Sequence, residues 1–229
     1  MDKKEFEKSG NVIKRLNDVD VEKPLIEDSL KIEESRCIFR DAIFFDLEHY
    51  IYKKPICIGV FGCCFYDYEN EVLKVTQYMI ENKKDAKIIL QLAKEYFENR
   101  IRENKKYIVT FSGNNDFTVI NYLFQKYNME FNNIEECFIS VDLQKQYERE
   151  IHKSIGLKAL EKEFGIARED KIISGSNLAK TFSKIIKDSE YINRMPQMKK
   201  EKILLYNEQD IVSLFNIYTK WNNVFVGNK

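Results

Sequence analysis

The pattern of apolar and polar positions divides the chain into a first part with β-type segments and a second part that is mainly helical. Three runs rich in Ile, Val, Phe, Tyr and Cys are separated by polar residues typical of turns. They are CIFRDAIFFDLE (37–48), PICIGVFGCCFYDY (55–68) and EVLKVTQYMI (71–80). We predict that these runs form a three-stranded antiparallel meander.

After the meander the apolar spacing changes to about 3.6 residues, which predicts a helix in AKIILQLAKEYFENRIREN (86–104). A strand, a helix and a strand are then predicted in KKYIVTFSG (105–113), DFTVINYLFQKYN (116–128) and ECFISVDL (136–143). This order indicates parallel strands joined by a right-handed crossover. Beyond residue 144 the pattern is helical, in KALEKEFGI (158–166), NLAKTFSKIIKD (177–188) and a last long helix predicted over about residues 197–221. The predicted fold class is therefore α/β, a five-stranded mixed sheet (antiparallel meander followed by βαβ) flanked by helices.

The N-terminal stretch, residues 1–36, is charged and only weakly periodic. We interpret it as a lead-in arm that contains a short helix before Pro24. Residues 37–229 are then expected to form one domain, because 229 residues with 44% hydrophobic content are enough for one sizeable core.

Composition narrows the functional classes only slightly. The five cysteines form no CxxC pair, so we expect reduced thiols and no structural zinc. Basic and acidic residues balance at 37 each, which neither requires nor excludes a nucleic-acid partner. The chain has no run of 18 apolar residues and no apolar N-terminal stretch. We therefore expect a soluble, cytoplasmic protein without a membrane partner.

Two carboxylates end the first predicted strand. Asp46 and Glu48 are two residues apart, so in a strand both point to one face, about 6.6 Å apart. Such a pair repels itself unless a cation lies between the two side chains. The chain contains four D-x-E triplets, but only the one at Asp46 follows a buried apolar run. The alternative interpretation is an ordinary solvated strand end.

Further candidates lie at Asp116 and in the last long helix. Asp116 follows the fourth strand in VTFSGNNDFTVI, where it is either a metal ligand or a helix N-cap. Tyr206 and Asp210 in LLYNEQDIVSLF are four residues apart and therefore share one face of a helix.

The order of these features resembles the DEDDy-type 3′-to-5′ exonucleases of the ribonuclease H-like superfamily, and most closely the YprB-type ribonuclease H-like domain family. The resemblance covers residues 37–222 and is carried by FFDLE, FSGNNDFTVINYLF, GLKALEKEFGIARED and YNEQD. The second motif departs from the family pattern, which usually has Asn-Gly and then Phe-Asp. Here Ser112 replaces the Asn, and one residue is missing between Gly113 and the acid.

The resemblance implies a catalytic set of Asp46, Glu48, Asp116, Tyr206 and Asp210. The four acids would be metal ligands for two divalent cations, Mg²⁺ or Mn²⁺, which hard carboxylate oxygens suit. In this scheme Asp46 bridges both cations, and Glu48 and Asp210 bind the one that holds the attacking water. Asp116 acts through the second cation or its waters, and Tyr206 orients the attacking water.

Neighbouring residues are candidate substrate contacts: Leu47, His49, Ser112, Asn114 and Asn115. Lysines at 83–84, 105–106 and 199–202 either contact phosphates or form solvated faces. The expected function is a metal-dependent nuclease, a 3′-to-5′ exonuclease acting on the 3′ ends of single-stranded DNA or RNA by a two-metal-ion mechanism. One alternative is an inactive ribonuclease H-like module that binds nucleic acid or a protein. Another is a phosphatase or other metal-assisted hydrolase on the same fold.

Overall fold

Seven strands and nine α-helices make up the part of the chain that the computed structural model describes, residues 8–9, 12–32, 38–168 and 175–225. The strands are β1 (Lys8–Ser9), β2 (Val12–Asp20), β3 (Ala42–Tyr52), β4 (Lys54–Asp67), β5 (Val72–Met79), β6 (Tyr107–Thr110) and β7 (Ile139–Asp142). The helices are α1 (Asp85–Arg102), α2 (Asn114–Lys126), α3 (Ile134–Cys137), α4 (Leu143–Ile151), α5 (Leu157–Glu163), α6 (Gly175–Lys187), α7 (Tyr191–Arg194), α8 (Gln197–Thr219) and α9 (Trp221–Phe225).

The strands form one mixed sheet in the order β1-β2-β5-β4-β3-β6-β7. Strands β3, β4 and β5 pair antiparallel as a meander. Strand β6 pairs parallel with β3, and β7 pairs parallel with β6. The predicted α/β fold class, with a meander followed by βαβ, is confirmed.

The sheet has seven strands instead of the predicted five, because β1 and β2 extend its meander edge. Strand β2 pairs antiparallel with β5 from Ile13 to Asp20 and replaces the helix predicted before Pro24. Its sequence, VIKRLNDVD, lacks apolar alternation because only Val12 and Arg15 of this strand are buried. The domain boundary at residue 36 stays a prediction, but Val12–Asp20 belongs to the sheet.

Three predicted boundaries also shift. Residues Ile38–Arg40 form a 3₁₀ turn, so the central strand begins at Ala42. Residues 134–137, placed partly in the fifth strand by the sequence pattern, form the short helix α3. Cys37, at the start of the first predicted strand, lies outside the described residues.

Strand β3 is buried on both faces, which explains its uninterrupted apolar start. Ile43, Phe45 and Leu47 pack in the apolar cluster that contains α1 and α2. Ala42 and Phe44 point the other way, into the cluster that contains the C-terminal half of α8. A strand covered on both sides has no solvent face, so its apolar residues need not alternate with polar ones.

Cys57, Cys63 and Cys64 are free thiols in the buried core. Burial raises the pKa of the Cys57 and Cys63 thiols to about 12. Within residues 8–225, apart from the gaps given above, no helix combines the length and apolar character needed to cross a membrane.

Helix α8 lies on a row of residues that crosses four strands. The row consists of Arg15, Gln77, Gly62 and Asp46, paired in register from β2 to β3. Arg15 Nη2 lies 2.8 Å from Oε2 of Glu208 on α8, and these residues are only 3% and 9% exposed. The N-terminal strand therefore fixes the helix that also carries Asp210.

We expect Arg15→Leu to lower the free energy of unfolding by about 3 to 5 kcal/mol, because it leaves a buried Glu208 carboxylate without its cation. Chemical denaturation measures this change. The double variant Arg15→Leu with Glu208→Leu removes both charges and should recover most of the loss. A double variant less stable than Arg15→Leu alone would contradict this account.

Candidate active site

Three carboxylates meet where β3 passes under α8. One oxygen each from Asp46, Glu48 and Asp210 lies within 4.8 Å of the other two. Oxygens on opposite sides of a Mg²⁺ ion are about 4.2 Å apart, at about 2.1 Å from the ion. The spacing of the three acids therefore fits a single divalent cation with little rearrangement.

The local sequence explains how these side chains reach one another. On β3, Asp46 and Glu48 alternate with the core residues Phe45 and Leu47, so both acids face α8. On α8, Asp210 is buried at a position where the helix crosses the sheet. Strand periodicity paired Asp46 with Glu48, whereas the family resemblance implied that Asp210 joins them. The structure brings the three acids together.

Full ionisation of the cluster would place more negative charge there than its surroundings can stabilise. Burial, followed by repulsion from Asp210, raises the pKa of Asp46 to about 7. Burial and the neighbouring acids raise the pKa of Glu48 to about 10. Burial also raises the pKa of Asp210 to about 6, against the opposing effect of Arg168. A bound cation would favour ionisation of all three groups.

Asp116 stands beside this cluster rather than within the group of three. It is the third residue of α2, whose N-cap is Gly113, so the alternative role of Asp116 as N-cap does not apply. Burial raises its pKa well above the usual range, and Asp46 and Asp142 add to the shift. The carboxylate is therefore electrostatically coupled to Asp46, as a ligand of a neighbouring cation would be.

Tyr206 lies one helical turn before Asp210. Burial, and then the charges of Asp210, Glu48 and Asp46, raise the pKa of its phenol. The phenol therefore keeps its proton at neutral pH and remains a hydrogen-bond donor. The Lys158 Nζ lies 4.7 Å from the centre of the Tyr206 ring and holds it against α5.

Three of the five predicted substrate contacts, His49, Asn114 and Asn115, lie near Asp116. His49 Nε2 lies 3.7 Å from Oδ1 of Asp116 and 3.1 Å from Nδ2 of Asn115. Burial lowers the pKa of His49, so its ring is neutral near pH 7. Asn114 is exposed, and its Oδ1 accepts a 2.9 Å hydrogen bond from Lys145 Nζ.

The other two predicted contacts differ from each other. Ser112 is exposed, has a left-handed backbone with φ of 55°, and donates its N–H to Asp142 Oδ1 at 2.9 Å. Leu47 is only 5% exposed and packs in the apolar cluster with Phe45. Only the Leu47 backbone is therefore available to a substrate, and its role as a contact stays a prediction.

Sequence reasoning missed the amide network that orients Asp46. Asn207 Nδ2 donates to Asp46 Oδ2 at 2.9 Å, and Gln77 Nε2 donates to Asn207 Oδ1 at 2.8 Å. Gly62 lies beneath this bridge, and a Cβ at that position would be 2.0 Å from Asn207 Oδ1. The sequence did not single out Asn207, because it stands in the polar run NEQD (207–210).

Sequence reasoning also missed Arg168, which follows α5. Its Nε and Nη2 donate to Glu161 at 2.8 and 2.5 Å, and Nη2 also donates to Asp210. Burial alone lowers the pKa of Arg168, but its hydrogen bonds and attraction to Glu161 and Asp210 raise it overall. The guanidinium thus partly neutralises one of the three clustered acids. Arg168 lies in the GLKALEKEFGIARED segment, which carries part of the family resemblance, but the sequence indicated no role for this residue.

Comparison with known families agrees with this geometry. A model of the RNase_H_2 family, described as RNase_H superfamily, matches residues 43–222, which is more than half of the chain. The chain belongs to the RNase H superfamily. Comparisons with curated proteins and with solved structures gave no match. RNase H superfamily domains bind nucleic acids, and membership indicates a nuclease-type activity for this chain.

We expect Gly62→Ala to lower the free energy of unfolding by about 1 to 3 kcal/mol, because the new Cβ overlaps the Asn207 side chain. Gly156→Ala is the matched control, since a Cβ there meets nothing within 4 Å. Urea denaturation of both variants measures the difference. Equal stability of the two variants would show that the close contact at Gly62 has no energetic weight.

The raised pKa values predict an unusual pH dependence of stability. In the folded protein Asp46 and Asp210 titrate at about 7 and about 6, above the ordinary 3.8, so the folded state binds more protons than the unfolded chain. Their contribution to stability is therefore present below about pH 4 and is lost as the pH rises through about 6 to 7.

In chelator, we expect the melting temperature to fall by about 5 °C between about pH 5 and about pH 8, as buried carboxylates ionise. Millimolar Mn²⁺ should reverse the fall, because the cation binds the ionised form. Asp46→Asn should flatten the profile, while the exposed Asp20→Asn should leave it unchanged. A melting temperature that rises over this range in chelator would refute the expectation.

Proposed function

We propose that the protein is a divalent-metal-dependent 3′-to-5′ exonuclease of the DEDDy type, acting on single-stranded DNA or RNA. The observation that carries the proposal is the convergence of Asp46, Glu48 and Asp210, from one strand and one late helix, with Asp116 beside them. The RNase H superfamily match supports a nucleic-acid hydrolase. The YprB-type family remains the relative that the sequence motifs favour.

The donor set fits Mg²⁺ or Mn²⁺, because the three clustered ligands are all carboxylate oxygens, with no thiolate or imidazole among them. Asp46, Glu48 and Asp210 would hold one cation, and Asp46 with Asp116 a second. Two such cations would supply an activated water and would stabilise the negative charge that develops on the leaving oxygen.

The chain's own residues would position the reactants. Asn207 holds one oxygen of Asp46, which leaves the other oxygen free to face the clustered acids. Tyr206 retains its phenolic proton and can donate a hydrogen bond to the attacking water or to a phosphate oxygen. His49 and Asn115 lie together near Asp116, where they can contact the sugar or base of the terminal nucleotide.

A second candidate function is a ribonuclease H-like module that binds nucleic acid without cutting it. The contact between Arg168 and Asp210 favours this alternative, because a protein cation already neutralises one of the three acids. The shortened second motif agrees with it. Cleavage assays distinguish the two functions, since only the first predicts hydrolysis.

We expect the wild-type protein with Mg²⁺ or Mn²⁺ to shorten a 5′-labelled single strand progressively from its 3′ end. Asp46→Asn and Asp210→Asn should reduce the rate by about 10³-fold or more, and Tyr206→Phe by about 10- to 100-fold. Asp20→Asn is the matched control, because it alters an exposed D-x-E triplet and should keep full activity.

Equal rates for wild type, Asp46→Asn and Asp210→Asn would remove the nuclease assignment. Binding of the strand without cleavage in either metal would favour the second candidate function. Hydrolysis of small phosphate esters without cleavage of polynucleotides would indicate a phosphatase on the same fold.

A further inference from the structure

A cationic cleft lies between α6, α7 and the beginning of α8, outside the acidic cluster. Its volume is about 620 Å³. The residues that line it within the described ranges include four lysines, Lys180, Lys184, Lys199 and Lys202, but no Asp or Glu. The whole chain has equal numbers of basic and acidic residues, so this is a local concentration of positive charge.

Tyr191 organises the lysines of the cleft. The Nζ atoms of Lys184 and Lys199 lie 5.6 and 5.9 Å from the centre of its ring. Lys199 Nζ also lies 3.3 Å from the Tyr191 hydroxyl. Proteins that bind single-stranded nucleic acids without sequence preference combine an aromatic ring with ammonium groups that contact the backbone. The cleft has both components.

The cleft and the acidic cluster lie along one side of α8. At about 100° per residue, Lys199, Lys202, Tyr206 and Asp210 fall within an arc of about 80° on the helix surface. Lys199 precedes Asp210 by eleven residues, which is about 16 Å along the helix axis. A strand with its end at Asp210 therefore needs only a few nucleotides to reach the cleft.

Helix α6 is anchored beside the acidic end of β3. Its buried Phe182 packs so closely on Gly59 that a Cβ there would approach the ring to 2.4 Å. Gly59 has no partner residue on β3, because the pairing steps from Glu48–Val60 to His49–Ile58 and passes over it. Lys180 and Lys184, two residues either side of Phe182, are exposed on the outer side of the helix. The lysines of α6 are thus held at a fixed position relative to the catalytic strand.

We propose that this cleft binds the sugar–phosphate backbone of a single-stranded nucleic acid, a few nucleotides upstream of the bond that is cut. The upstream position rests on the proposed 3′-to-5′ exonuclease function. The interaction is electrostatic and independent of base sequence, with Tyr191 available to stack on a base. The interaction raises the affinity for long strands over that for very short ones, because only a long strand reaches both the acids and the lysines.

The test compares strands of about 15 and about 3 nucleotides by fluorescence anisotropy in Ca²⁺, a cation chosen to allow binding without turnover. The variant is Lys180→Gln, Lys184→Gln, Lys199→Gln and Lys202→Gln combined. Affinity for the long strand should fall by about tenfold or more. The slope of log affinity against log salt should decrease by about 0.7 for each phosphate that the variant no longer neutralises. Affinity for the short strand should not change.

Lys23→Gln with Lys31→Gln is the matched control, because both lysines are exposed and lie away from the cleft, in the segment that follows β2 and contacts the C-terminal end of α8. This control should keep the affinity and salt slope of wild type. A pair variant, Lys180→Gln with Lys184→Gln, should show about half of the slope change. Melting temperatures equal to wild type establish that the variants are folded.

The outcomes separate this proposal from the exonuclease proposal. Lysine-dependent binding of the long strand without cleavage in any metal would support the cleft and remove the nuclease assignment. Cleavage by a quadruple variant that binds long strands like wild type would overturn the cleft proposal and leave the nuclease intact. Tighter binding of an acidic peptide than of the long strand would identify a protein partner and also overturn the proposal.

Discussion

The structure depends on one amide bridge, in which Asn207 accepts from Gln77 and donates to Asp46. The Asn207 side chain fits only above Gly62, the glycine between Gln77 and Asp46. The bridge therefore fixes the position of α8 on the sheet. Once Asn207 is in place, Asp210, three residues further on, faces the acids of β3. A packing contact thus determines which carboxylates meet, and Arg15 reinforces it through Glu208.

The site also concentrates carboxyl groups in a buried environment. Three clustered acids and Asp116 are buried close together, which raises their pKa values and favours any cation that can approach. Arg168 neutralises part of this charge from within the protein. The same negative potential would repel a phosphate backbone. Lysines placed along α8 and α6, at a distance from the acids, offset that repulsion where a strand would lie.

Much of the fold follows from local pattern. The meander, the crossover to β6 and β7 and the long α8 were all predicted, since their apolar periods are strong. The sequence pattern missed strand β2, because its contacts with β5 and α8, rather than the apolar pattern of its own residues, keep it in the sheet. Its side chains are mostly polar, and its buried Arg15 is stable there only because Glu208 lies opposite. Propensity cannot detect a residue whose partner is almost 200 positions away.

By itself the sequence determined the α/β class and two local pairings of candidate residues, because strand and helix periods place Asp46 with Glu48 and Tyr206 with Asp210 within single elements. Only the tertiary structure decided that α8 crosses β3 at these residues, that Asp116 follows an N-cap at Gly113, and that Arg168 meets Asp210. The physical reason is the distance along the chain over which each effect acts. Periodicity describes neighbouring residues within one helix or strand. Burial, charge coupling and amide bridges arise between elements that only folding brings together.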